Sequence, residues 1–262
     1  MYTSPIESYY QSNCYHHEIV RELIKRLNLQ GNERILDIGC GDGRITSEIA
    51  ACVPNGSVLG IDHSEEMIAF AKTKFPEIIY PNLNFEYGDA QNLKFTNEFD
   101  IVVSFGTLHI LVDHIPVLLG IHRSLKTNGK VSLQFTSKGN ENGESNLITN
   151  LVKSQKWKNT LENKVVYGFY DAEQYQEWLD ESGFVTETVK IHNRYFTYQD
   201  LETFEKEFYG NWFSLSSRIP TNLYQEFMSE LIDNCRVINT PNQDGSINRE
   251  QNFLLVEARK IT

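Results

Sequence analysis

The chain has 262 residues, 40% of them hydrophobic, which is enough for one sizeable core and marginal for a second. A formal net charge of −11 creates a field that repels phosphate backbones, and no basic patch offsets it, so no nucleic-acid partner is expected. Four scattered cysteines (Cys14, Cys40, Cys52, Cys235) make no metal-ligand spacing, residues 1–5 carry no apolar signal core, and no apolar run is long enough to span a bilayer. The expectation is a metal-free cytoplasmic protein with reduced thiols and no membrane partner, monomer or homodimer.

Residues 9–27 place Ile19, Val20, Leu23, Ile24 and Leu27 on one helical face, which predicts an N-terminal helix against the core. Its leading part is rich in tyrosine and histidine (Tyr9, Tyr10, Tyr15, His16, His17) and reads either as packing or as a lid. Ile35, Leu36 and Ile38 form a short buried strand. Gly39, Gly41 and Gly43 break it, and apolar spacing over 44–53 then predicts a helix whose first amides are free for a ligand. A second strand, 57–62, ends on Asp62. Ser64 is placed to cap the next helix, with Glu65 and Glu66 in its first turn and Met67, Ile68, Phe70, Ala71 and Phe75 on its buried face. Strands follow at 84–88 and 99–105, then a helix at 115–125 and an Asn128-Gly129 turn into a fifth strand, 130–136. This alternation predicts right-handed βαβ units and a doubly wound α/β sheet.

Residues 137–144 read as a loop at the strand ends, where open α/β sheets bind ligands. Asp171-Ala172-Glu173-Gln174 reads as a capping box opening a helix that stops at Gly183. A strand at 185–196, helical stretches at 198–208 and 222–235, a loop at 239–251 and a last strand at 253–258 complete the chain. The late helices therefore form an insertion, about 198–238, expected to cover the substrate side.

Two ligand classes compete for the glycine loop, nicotinamide dinucleotides and adenosyl sulfonium donors. A dinucleotide fingerprint needs a small residue three positions after its second glycine; that position here is Arg44. Asp37, just before the loop, suits a cationic amino-acid portion better than a pyrophosphate. The run from Ile35 to Gly43 resembles the first motif of the Rossmann-like, class I S-adenosylmethionine-dependent methyltransferases. Three later stations resemble theirs in order: Ile61-Asp62-His63-Ser64, Gly88-Asp89-Ala90, and Phe99 through Ser104.

The resemblance implies a seven-stranded, mostly parallel sheet with an antiparallel last strand inserted beside the fifth. It implies S-adenosylmethionine as cofactor and S-adenosylhomocysteine as product. Asp37, Gly39, Cys40, Gly41 and Gly43 would cradle the donor, Asp62, His63 and Met67 its ribose side, Asp89 and Ala90 the adenine, and Ser104 and Phe105 the methyl. The likeness extends to the trans-aconitate and juvenile hormone acid O-methyltransferase group, which esterifies small-molecule carboxylates. The insect enzymes hold the acid with a Gln and a Trp; the matching positions here are His16 and Ile110, so the acceptor is open. Candidate substrate contacts are Tyr10, His16, Gly106, His109, Ile110, Arg194 and Trp212. His109, with His16 behind it, is the candidate base for a hydroxyl or amine, although a core or capping histidine reads equally well; a carboxylate needs no base. Residues 104–107 lack the signatures of nucleic-acid base methylation, and a non-catalytic donor-binding module is a third reading. One domain is expected, with a lid at 1–30, a cofactor core at 31–136 and substrate-side elements at 137–262.

Overall fold

The structure is a computed structural model and describes residues 9–10, 14–139, 143–162, 165, 167–212, 214–215 and 218–261. Short β-branched runs separated by amphipathic helices build the first half of a sheet: β1 (Arg34–Ile38), β2 (Ser57–Asp62), β3 (Leu83–Tyr87), β4 (Phe99–Phe105) and β5 (Leu125–Thr136), with adjacent members parallel. Two long strands, β6 (Phe184–Tyr198) and β7 (Ile247–Lys260), complete the order β3-β2-β1-β4-β5-β7-β6, and β7 runs antiparallel to both its neighbours. This is the expected seven-stranded sheet. The chain reverses its direction of travel between β1 and β4, and the carboxyl ends of those strands diverge into a crevice.

One face of the sheet is covered by α1 (Cys14–Arg26), α2 (Arg44–Cys52) and α3 (Glu65–Lys74), which bury Leu23, Ile49, Ile68 and Ala71 against Ile35, Val103 and Leu255. The other carries α4 (Ile115–Ser124) and α7 (Ala172–Glu181), whose Val117, Ile121, Tyr175 and Leu179 meet Leu36, Val131, Phe135 and Val256. Ser64 caps α3 and Asp171 caps α7, each accepting a backbone N–H three residues on, as their sequence contexts predict.

The remaining helices are α5 (Glu144–Lys153), α6 (Lys158–Leu161), α8 (Leu201–Asn211) and α9 (Thr221–Ile238). They gather around Trp157, Phe204, Phe208, Phe227 and Leu231 as a second core, joined to the sheet by Ile19, Ile247 and Phe253. Composition makes a second core marginal, yet the aromatic density of the late region fills one. Helix α5 goes unanticipated in the sequence reading, although Leu147, Ile148, Leu151 and Val152 supply a helical face. The start of β7 also differs: residues 247–251, read as loop, pair with β6, Arg249 opposite Phe196 and Gln251 opposite Arg194. Arg249 occupies an inward position; it is buried, donates to the Tyr198 hydroxyl at 3.2 Å and lies over the Phe208 ring. A charged residue at an inward site erases the alternation by which a strand is recognised. Likewise β5 begins directly after α4, at Leu125, and not at residue 130.

Phe227 has no solvent exposure and packs edge-on against Trp157 at 5.2 Å. Phe227→Ala is expected to lower the unfolding free energy by about 3–5 kcal/mol in a urea titration; a loss under about 1 kcal/mol would mean the second core adds little to folding.

Candidate active site

Where β1 ends, Gly39, Gly41 and Gly43 all take positive φ (76°, 53° and 82°). At Gly39 the need is steric as well: a Cβ there would lie 2.2 Å from the Thr107 methyl, and Thr107 Oγ1 donates to the Gly39 carbonyl at 3.1 Å. Gly41 is the opposite case. Its Cβ position is open except for the Tyr9 hydroxyl 3.9 Å away, so its bare backbone faces the crevice.

The loop is tied to β2 through Asp62. Gly41 N donates to one carboxylate oxygen at 3.0 Å and Ser64 N to the other at 2.8 Å. Burial raises the Asp62 pKa, opposed by those amide bonds. Asp37 sits beneath, 2% exposed, accepting from Thr46 Oγ1 at 2.7 Å. Burial pushes it up to about 7, with the Thr46 hydroxyl working against the shift and the Asp62 charge adding to it. Desolvation and the nearby Asp37, Asp62 and Asp42 raise the Cys40 thiol, which stays protonated. Arg44 folds back onto Asp42, donating from N and Nε at 3.0 Å, and its guanidinium lies 4.3 Å over the Tyr10 ring.

The other donor-side candidates flank this loop. The His63 ring lies beside Tyr87, Nδ1 3.3 Å from the hydroxyl. Met67 is buried and its N–H takes the Ser64 cap. Asp89 accepts from Gln91 N at 2.9 Å and opens the short turn Ala90–Asn92. Ser104 is fully buried and donates to the Ile38 carbonyl at 2.7 Å, fastening β4 to β1.

A cavity rises from the loop. Gly39, Cys40, Gly41 and Asp42 form its floor, Phe105, Gly106, Thr107 and His109 one wall, and Phe196, Tyr198, Glu207, Trp212, Gln251 and Phe253 of the β6–β7 hairpin and α8 region its roof; Tyr9, Ile19, Ile45 and Thr136 close the sides. His109 is 7% exposed, its ring near-parallel to those of Tyr167 and Phe169 at 6.0 and 6.3 Å and perpendicular to Trp212, 6.3 Å away. No lysine or arginine stands among the described lining residues, whereas Glu207, 6% exposed, does.

Of the candidate acceptor contacts, Gly106, His109 and Trp212 come together in this cavity and three others do not. Tyr10 packs on Phe70 under Arg44, Ile110 offers its carbonyl to Arg218 at 2.8 Å, and Arg194 pairs with Glu22 of α1. The side chain of His16 lies outside the described residues. Sequence reasoning passed over Thr107, Phe196, Glu207, Gln251 and Phe253 as lining residues. Glu207 carried a signal, an acid between Phe204 and Phe208 on a helix's apolar face; Gln251 was hidden by reading its strand as loop. Among the described residues no group of His, Cys, Asp and Glu could hold a metal, and no helix is long and apolar enough to cross a membrane.

Residues 29–183 match the family model of a methyltransferase domain. The chain is 30% identical over 202 residues to methyltransferase 235L of Invertebrate iridescent virus 6, covering 77% of this chain and 74% of that one. With juvenile hormone acid O-methyltransferase of Bombyx mori it shares 26% over 247 residues, 87% and 86% of the two chains. Among solved structures, the YcgJ protein from Bacillus subtilis superposes with a TM-score of 0.66 at 20% identity, over 94% of this chain and all of that one. The Haemonchus contortus phosphoethanolamine N-methyltransferase 2, solved with phosphomonomethylethanolamine and S-adenosylhomocysteine, gives 0.63 at 21% identity, over 94% and 53%. With a family model spanning more than half the chain, a relative at 30% identity along most of its length, and this sheet order above a glycine loop, the chain belongs to the class I S-adenosylmethionine-dependent methyltransferases.

Proposed function

We propose that the chain transfers a methyl group from S-adenosylmethionine to a small-molecule acceptor, with a carboxylate oxygen as the first acceptor to test. The observation that carries this reading is the cavity itself. Its floor is the glycine loop, with the backbone of Gly41 open, and its roof is the aromatic second core, so a donor on the loop would face an acceptor under that roof.

The residues present fit the donor. Gly41 is open where a Cβ would stand, and each Asp62 oxygen holds one amide and keeps capacity to accept a ribose hydroxyl. Asp37 would receive the ammonium of the amino-acid portion. Asp89 and Ala90 would take the adenine edge, with His63 and Met67 alongside and Phe105 toward the methyl. Bound there, the donor supplies a methyl carried on a positively charged sulfur. The chain's part is to align an acceptor atom with that methyl and keep water out, which Phe196, Tyr198, Trp212 and Phe253 are built to do. An ionised carboxylate needs no base; a hydroxyl needs one, and His109 stands in the wall beside the loop.

The likeness to juvenile hormone acid O-methyltransferase supports the carboxylate. A second reading, a hydroxyl or amine acceptor, is favoured by Glu207 in a lining without lysine or arginine among the described residues. A panel of apolar carboxylic acids, phenols and amines, with S-adenosylhomocysteine formation as the readout, separates the two. Residues 31–136 would then hold the donor and 137–262 the acceptor; the lid expected at 1–30 falls in part outside the described residues, and of those described Tyr9 and Ile19 stand at the cavity side.

Asp62→Ala should weaken S-adenosylhomocysteine binding by about 1–3 kcal/mol in isothermal titration, and unchanged affinity would remove Asp62 from the ribose. For Asp37 the sign follows from a folded-state pKa raised from 3.8 to about 7. Between those values the unfolded chain binds fewer protons, so this group's contribution to stability is greatest below pH 3.8 and falls as pH rises to about 7. The carboxylate that receives an ammonium forms over the upper part of that window, so S-adenosylhomocysteine affinity should climb from pH 5.5 to 8 and then level. Asp37→Asn should flatten the climb and raise the melting temperature more at pH 8 than at pH 4; a flat wild-type profile would disconnect Asp37 from the ligand. His109→Gln should lower turnover of a phenolic acceptor by on the order of 10²-fold while sparing a carboxylate; equal rates with both acceptors would leave His109 as packing.

A further inference from the structure

Every carbonyl of the turn at 108–111, which carries His109 into the cavity wall, is held. Leu108 O and Leu111 O face His114 Nε2 at 2.8 and 3.2 Å. His109 O accepts from Gly168 N at 2.9 Å and Ile110 O from Arg218 Nη2 at 2.8 Å. A ring nitrogen facing two carbonyl oxygens must carry the proton, so Nε2 donates. Nδ1, 3.2 Å from the Tyr175 hydroxyl, then accepts from it.

His114 has no solvent exposure, and its ring is enclosed by Phe135, Tyr170, Tyr175 and Trp178 at 5.0–6.3 Å. Burial lowers its pKa, which agrees with a neutral ring donating on one side and accepting on the other. An apolar ring of the same size would fill this cage equally well. Only the two carbonyls of the turn require an N–H at that point.

We infer that His114 is a positioning residue for the acceptor wall: by holding Leu108 O and Leu111 O from a rigid aromatic cage, it sets the direction in which Thr107 and His109 enter the cavity. The inference rests on the reading of that turn as part of the methyl-transfer site. It joins α7, through Tyr175, to a wall on which neither α7 nor His114 borders directly.

The test is nuclear magnetic resonance of the full chain saturated with S-adenosylhomocysteine, following the His109 ring resonances and amide exchange at Ile110 and Leu111. His114→Phe keeps an aromatic ring and removes both the Nε2 donor and the Nδ1 acceptor of the Tyr175 hydroxyl. It should displace the His109 resonances and speed exchange at those two amides by about tenfold or more, with S-adenosylhomocysteine affinity within about threefold of wild type. Tyr175→Phe removes only the hydroxyl that anchors Nδ1; it should move the same resonances by a smaller amount and serves where His114→Phe does not fold. Unmoved His109 resonances in a folded variant overturn the inference. So does a loss of S-adenosylhomocysteine affinity of about tenfold or more in step with the shift, because His114 would then support the whole molecule and not this wall. Failure of the wild-type chain to bind S-adenosylhomocysteine counts against the methyl-transfer reading alone, since the resonance comparison can be made without ligand.

Discussion

Two backbone amides, those of Gly41 and Ser64, converge on the carboxylate of Asp62, and the geometry of the site depends on that convergence. The bonds join the loop after β1 to the start of α3. A loop so joined has to turn back over the end of β2, which positive φ at Gly39, Gly41 and Gly43 permits. The arrangement stabilises an ion that burial disfavours. Asp37, deeper and with one hydroxyl partner, lacks that compensation and is pushed up to about 7. Burial therefore pushes up both acids, Asp62 against two amide bonds and Asp37 against a single hydroxyl.

Above the loop, the site depends on how far the β6–β7 hairpin extends. Its pairing runs from Phe184 opposite Lys260 to Tyr198 opposite Ile247, well past the end of β5; the projecting part carries Phe196, Tyr198 and Gln251 to the cavity above the glycine loop, with Phe253 at the last β5 pair beside them. Helices α8 and α9 leave and rejoin the sheet at the tip of this hairpin. Their aromatic side chains gain burial against α5, α6 and the hairpin, so the roof of the cavity and the second core are one structure. Residues that line the cavity are thus bound up with residues that stabilise the fold, and Glu207 in α8 is a buried acid among them.

How much was legible follows from range of interaction. The glycine loop and its ties lie in short stretches whose conformations are local: glycines at alternate positions, an acid ending β2, Ser64 capping α3. Each is visible in a window of a few residues, so the first four strands and most of the fifth could be read directly, and the cofactor class through a family resemblance. Tyr10, Ile110 and Arg194 were drawn toward the acceptor by their neighbours in sequence, but Phe70, Arg218 and Glu22 engage them elsewhere. Gln251 and Arg249 went unread because a buried arginine in a strand removes the alternation that marks it. His114 drew no notice because its meaning lies in two carbonyls and a distant tyrosine.

Local patterning by itself determined that this chain forms a doubly wound sheet with a glycine cradle at the end of β1, because strand alternation, helix periodicity, caps and positive-φ glycines act within a few residues. Tertiary structure alone decided what stands over that cradle. The cavity's wall and roof are assembled from the end of β4, the β6–β7 pair and α8, with β4 far in sequence from the rest, and their meeting is set by burial of the second core. Burial has no sequence period to announce which partner a side chain will find.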